Sequence, residues 1–185
     1  DEGKYPEAEE ALKEANDILD RMQGSARDME AYVNHNLGEV YRKLGNYDEA
    51  VNYLNKSIEI VTDYYGKNSP AYVEDLSSLG RTYFNQNRFG LAEETIQKAI
   101  DIIKEGNAAE NIIYYNLLST MANIHQSNGK VSKGIELRKT SIEGFKNILG
   151  EKSFEYAYEL HKLGKAYQAL YDYKNAESYL MEGLK

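Results

Sequence analysis

Three histidines are the side chains best suited to ligate a metal or move a proton near neutral pH: His35, His125 and His161. His35 and His161 are separated by three periods of a 42-residue repetition. If each period is a helix pair adding about two packing layers of ~8–10 Å, they lie roughly 30 Å or more apart and cannot share a metal. His125 falls in a column otherwise filled by Tyr41, Tyr83 and Tyr167, which makes it a packed, hydrogen-bonded histidine. Cysteine is absent, which excludes thiol chemistry and disulfides. No zinc-protease H-E-x-x-H, phosphate-binding loop, G-x-S-x-G elbow or calcium loop is present. Asn55-Lys56-Ser57 satisfies a glycosylation sequon, but it falls in mid-helix on a packing column. The sequence therefore predicts no catalytic residue, no metal and no cofactor, and a protein that is not an enzyme.

What remains is binding chemistry. The chain has 185 residues, 28% charged and 42% hydrophobic, a composition that folds in water. No apolar run approaches the ~18 residues of a membrane span, and no signal-peptide pattern opens the chain. The net charge of −8 argues against nucleic acid and acidic membranes as partners, since both require basic surface. A cytoplasmic protein is the expectation. The 17 tyrosines are mostly columnar: Tyr72, Tyr114 and Tyr156 are each 42 residues apart, which marks packing positions.

The elements that position these residues are set by that period. Gly38, Gly80, Ala122 and Gly164 form a small-residue column, preceded by Leu37, Leu79, Met121 and Leu163. A second small column is Ala8, Ala50, Ala92, Gly134 and Ala176, and a third is Ala15, Ser57, Ala99, Ser141 and Gly183. An aromatic column runs Tyr5, Tyr47, Phe89 and Tyr173, with Val131 in between. Apolar and small residues at i, i+3, i+4 and i+7, as in Leu76, Leu79, Gly80 and Tyr83, describe one helix face. Turns are expected at Gly45-Asn46, Asn87-Arg88 and Gly129-Lys130, followed by a second helix in each period. Gly24, Gly66 and Gly150 share a column of helix-ending glycines, and Ser69, Asn111 and Ser153 share a column of helix-starting caps, with Pro70 in the first turn.

Leu37-Gly38-x2-Tyr41 with Ala50-x3-Leu54, Leu79-Gly80-x2-Tyr83 with Ala92-x3-Ile96, and Leu163-Gly164-x2-Tyr167 with Ala176-x3-Leu180 resemble the tetratricopeptide repeat. The 42-residue period, with linkers at 65–70 and 148–151, looks like the kinesin-light-chain type. The resemblance implies an all-α fold, a right-handed α-solenoid of stacked antiparallel helix pairs. Residues 1–24 would be the second helix of an incomplete repeat, followed by repeats at 25–66, 67–108, 109–150 and 151–185. The third full repeat departs most, with Met121-Ala122, His125, Gly134 and Arg138, and looser packing is expected there. No polar cap helix follows the last repeat, which points to a piece of a longer protein or to ends covered by a partner or a second copy, a homo-oligomer.

The resemblance also implies that first helices line a concave groove holding a protein or peptide. The stripe left free by packing gives Tyr32, His35, Asn36, Glu39 and Arg42 in the first full repeat. It gives Ser77, Arg81 and Phe84 in the second, and Ser119, Asn123 and Gln126 in the third. In the fourth it gives His161, Lys162 and Lys165. Counting Lys43 and Glu74 as well, the stripe has five cations (Arg42, Lys43, Arg81, Lys162, Lys165) against two acids (Glu39, Glu74), so an acidic peptide is the expected guest. The carboxylate clamp of the family does not carry over, since its positions hold His35 and Glu39, or Ser119 and Asn123. Two roles fit: an interaction scaffold, or the regulatory arm of a larger signalling protein.

Overall fold

A computed structural model describes residues 5–21, 27–106 and 111–184. Of the incomplete repeat expected at residues 1–24, residues 1–4 and 22–24, with the helix-ending Gly24, lie outside them. The described residues form helices α1 (Tyr5–Arg21), α2 (Arg27–Leu44), α3 (Tyr47–Tyr65), α4 (Pro70–Asn85), α5 (Phe89–Glu105), α6 (Ile112–Ser127), α7 (Val131–Leu149), α8 (Phe154–Ala169) and α9 (Tyr173–Glu182), with no strand among them. They fall into two compact units, Asp1–Ile102 and Ile103–Lys185.

Helix starts follow from cap chemistry. Ser69, Asn111 and Ser153 sit in extended backbone, and their side-chain oxygens accept the amides of Tyr72, Tyr114 and Tyr156 at 3.3, 2.8 and 3.3 Å. Each satisfies one of the amide donors that a helix N-terminus leaves without a partner. The turn within a helix pair is left-handed at Gly45 (φ 81), Asn87 (φ 59), Gly129 (φ 76) and Tyr171 (φ 59). The first three were expected from their types; a tyrosine at the fourth was not.

In the first unit, α2 and α3 run antiparallel. The Ser57 hydroxyl, on α3, lies 3.0 Å from the Ala31 carbonyl near the start of α2. At the other end, a Cβ on Gly38 would meet Leu54 Cγ at 2.6 Å. Gly80 and Gly164 face Ile96 and Leu180 in the same way, also at 2.6 Å, so the small column is where paired helices come closest. Leu37, Ala50, Leu54, Ala92 and Ile96 are fully buried. Tyr41 stacks on Tyr53 at 5.4 Å, and in the second unit Tyr167 stacks on Tyr179 at 5.6 Å.

The second unit corrects one expectation. The repeat holding Met121, Ala122, Gly134 and Arg138 is not loosely packed: Ala122 and Arg138 are 0% exposed and Met121 3%. Gly134 lies so close to α6 that a Cβ there would meet Gln126 Cγ at 2.6 Å and the Ala122 carbonyl at 2.9 Å. Glycine makes room where the other repeats have alanine, and the arginine is stabilised by a buried partner, described next.

Candidate functional site

In the first unit, α2, α3 and α4 enclose a pocket of about 560 Å³. Tyr32, His35 and Asn36 of α2, three of the stripe residues, line it. So do Asp28, Glu74 and Asp75, with Ala31, Val61, Tyr65, Pro70 and Ala71. His35 Nδ1 is 2.6 Å from Asp75 Oδ1. Asp75 Oδ2 is 2.9 Å from the Ser57 hydroxyl, whose one proton is shared between that carboxylate and the Ala31 carbonyl. Burial disfavours the charged imidazole, but the Asp75 hydrogen bond and the charges of Asp75, Glu74 and Glu39 outweigh it, so the His35 pKa is raised above its ordinary value.

One turn further along α2, Glu39 accepts from Arg42 Nε at 3.1 Å and Nη2 at 2.6 Å, and Arg81 Nη2 lies 3.8 Å away. Burial raises the Glu39 pKa, yet the two arginines hold it down at about 2. The two arginines of the stripe are thus turned to a carboxylate of the same surface. Asp28 and Asp75 were also missing from the charge count, so the first unit's share of the stripe is not basic as expected.

Ser77 is half-buried, and Phe84 is half-buried with its ring 5.9 Å from Phe89, across the turn of its own helix pair. In the second unit Ser119 is no open contact: it is 9% exposed and donates to Glu159 at 2.5 Å. Asn123 and Gln126 accept from Arg138 Nη2 at 2.9 and 3.2 Å, while Arg138 Nη1 donates to Glu159 Oε2. These three positions are therefore engaged in an internal network. On α8, by contrast, His161 and Lys165 are exposed, and Lys162 lies over the Tyr158 ring at 5.3 Å. Phe154, 76% exposed, stacks on Tyr158, 41% exposed, at 5.7 Å.

Of the residues that organise these surfaces, Asp75 and Glu159 were not singled out in the sequence, and Arg138 was noted only as a departure from the repeat. Asp75 and Glu159 belong to one 42-residue column, Val33, Asp75, Leu117 and Glu159, apolar in alternate repeats. Each acid is 2% exposed and is met by the side chain 40 residues earlier, His35 or Ser119. An acid in an otherwise apolar column was the available signal.

Residues 28–105 match the tetratricopeptide repeat family. These residues are tetratricopeptide repeats. Across the chain the fold is the tetratricopeptide-repeat fold. BtubC (BKLC) from P. vanneervenii superposes with a TM-score of 0.83 at 16% identity, over 98% of this chain and 72% of that one. The kinesin-light-chain TPR-like repeats of Podosopora anserina give 0.78 at 22%, over 98% and 86%. The Rap conjugation gene regulator of plasmid pLS20, in complex with the Phr* peptide, gives 0.80 at 13%, over 97% and 48%. A curated relative, RxLR effector protein SFI4 of Phytophthora infestans, is 24% identical over 139 residues, 75% of this chain. The match spans 40% of that relative's length. Among the described residues, no helix is long and apolar enough to cross a membrane and no cluster of His, Cys, Asp or Glu is placed to hold a metal.

Proposed function

We propose that this tetratricopeptide-repeat chain is a protein-interaction scaffold without catalytic activity, holding a peptide or protein partner on its first-helix faces, and that the segment met by α8 is acidic. The observation that carries the reading is the α8 surface. Phe154 and Tyr158 offer an exposed aromatic stack, and His161, Lys162 and Lys165 continue the same face at helical spacing. Of the two acids within that stretch, Glu159 is buried against Arg138 and subtracts nothing from the surface, and Glu155 is half-buried in the first turn of α8, so His161, Lys162 and Lys165 stand against one partly exposed acid. Aromatic area with adjacent cations fits a peptide that mixes apolar and acidic side chains. A peptide complex of a protein with this fold, the Rap regulator with Phr*, supports a peptide as guest.

The test is fluorescence anisotropy with a labelled acidic peptide, acetyl-Asp-Leu-Glu-Asp-Phe-Glu-amide. Lys162→Glu with Lys165→Glu should weaken it at least tenfold while the circular dichroism spectrum is unchanged. Equal affinity for the double variant would overturn the reading. The likeness to the Rap regulator, of which this chain spans 48%, favours a second role as the regulatory segment of a larger signalling protein. An effector domain encoded in the same gene would decide for it. A cytoplasmic location belongs to the same proposal and is checked by cell fractionation. Self-association belongs to it too, through the end where Tyr171 and Leu184 are 79% and 80% exposed. Constant monomer mass in light scattering across concentrations would remove it.

A further inference from the structure

The pocket of the first unit has chemistry opposite to that of the α8 surface. Its wall is apolar: Ala31 of α2, Val61 of α3, and Pro70 and Ala71 of α4. Two half-exposed rings, Tyr32 at 64% and Tyr65 at 51%, stand beside it. Asp28 and Glu74 lie on its exposed rim and form no ion pair among the described residues, and Asp75 lies at its floor. No lysine or arginine lines it. Arg42 and Arg81, on the same two helices, are directed to Glu39 instead.

We infer that this pocket is a subsite for one cationic side chain, the ammonium of a lysine or the guanidinium of an arginine in a bound peptide. Such a side chain is amphipathic along its length, with an apolar stem and a charged tip. The stem matches the alanine, valine and proline wall, the tip matches the carboxylates, and a tyrosine face adds attraction for a cation. The volume of about 560 Å³ is ample for one long side chain. An acidic side chain would face three carboxylates at once, and an aliphatic one would leave Asp28 and Glu74 without a counter-charge. The inference rests on the scaffold reading and adds the chemistry of one partner position.

His35 sets the pH dependence. It feels the charges of Asp75 and Glu74 on α4 and of Glu39 on α2, and it lines the pocket together with Asp28 and Tyr32 of α2 and Tyr65 of α3. Protonated, it supplies the charge that a guest would supply; as pH rises through its titration, the pocket becomes more negative and cation binding strengthens.

The experiment titrates the ¹⁵N-labelled protein with N-acetyl-lysine amide, N-acetyl-arginine amide and N-acetyl-norleucine amide. The two cations should produce saturable shifts of the amides of Ala31, Tyr32, Val61 and Ala71, with norleucine at least fivefold weaker. Asp28→Asn with Glu74→Gln, both on the exposed rim, should weaken the cations at least fivefold and leave norleucine unchanged. His35→Gln should flatten the pH dependence. Norleucine binding as tightly as lysine at these amides, or cation binding undiminished in the rim variant, would overturn the inference. None of these residues is tested by the Lys162 and Lys165 variants, so the subsite and the acidic-peptide reading can fail separately.

Discussion

At Tyr171 a tyrosine occupies the backbone conformation that the equivalent turns give to Gly45, Asn87 and Gly129. A left-handed residue with a Cβ costs roughly 1–2 kcal/mol, part of which glycine returns through its freer unfolded chain. Tyr171→Gly should therefore raise stability by about 0.5–1 kcal/mol in urea denaturation, and Tyr171→Ala should not. The Glu39 carboxylate makes a second residue-scale expectation. Its pKa is about 2 when folded against 4.5 ordinarily. Its contribution is thus complete above the ordinary value and is lost as pH falls through the folded one. Denaturation midpoints between pH 5 and 2 should drop less steeply in Glu39→Gln than in the wild type. Arg138 is the third. Arg138→Met leaves Glu159 buried without its cation and should cost about 3–5 kcal/mol, whereas adding Glu159→Leu should restore most of it. Equal losses in the single and double variants would show that the pair matters for its volume alone.

At the scale of elements, the caps and the small columns decide where helices begin and how closely they pair. Ser153 accepts the Tyr156 amide and donates to the Gly150 carbonyl at 2.9 Å, tying the start of α8 to the end of α7. Ser153→Ala should cost about 1 kcal/mol in thermal or urea unfolding, and Ser153→Asp should cost less. These elements were legible beforehand, because a helix period, a cap and a turn glycine act over a few residues. The tight packing around Arg138 was not. A long cation in an aliphatic column reads as a defect until the partner acid, 21 residues on, is known to point at it.

Across the molecule, the net charge of −8 hides surfaces of opposite sign. The α8 face is cationic and aromatic, while the pocket between α2, α3 and α4 is lined by three carboxylates. Exposed charges of this kind are screened by salt, as the Debye length shrinks from ~10 Å at 0.1 M to ~3 Å at 1 M. The affinity of the acidic peptide for the α8 face should fall several-fold over that range, as read by anisotropy. An affinity indifferent to salt would assign the binding to Phe154 and Tyr158 alone.

The 42-residue register by itself determined the helices, their caps, the small-to-large packing columns and the repeat fold, since each depends on residue type at a fixed spacing. It also marked one face of each first helix as free of packing, which holds at His161 and Lys165 of α8 but not at Ser119 of α6, 9% exposed. Tertiary structure alone decided the charge of that face. Whether Arg42 and Arg81 face a guest or Glu39, and whether Ser119 is open or held by Glu159, depends on side chains brought together from different helices. Electrostatic character belongs to such distances and to burial, and neither is written in the spacing along one chain.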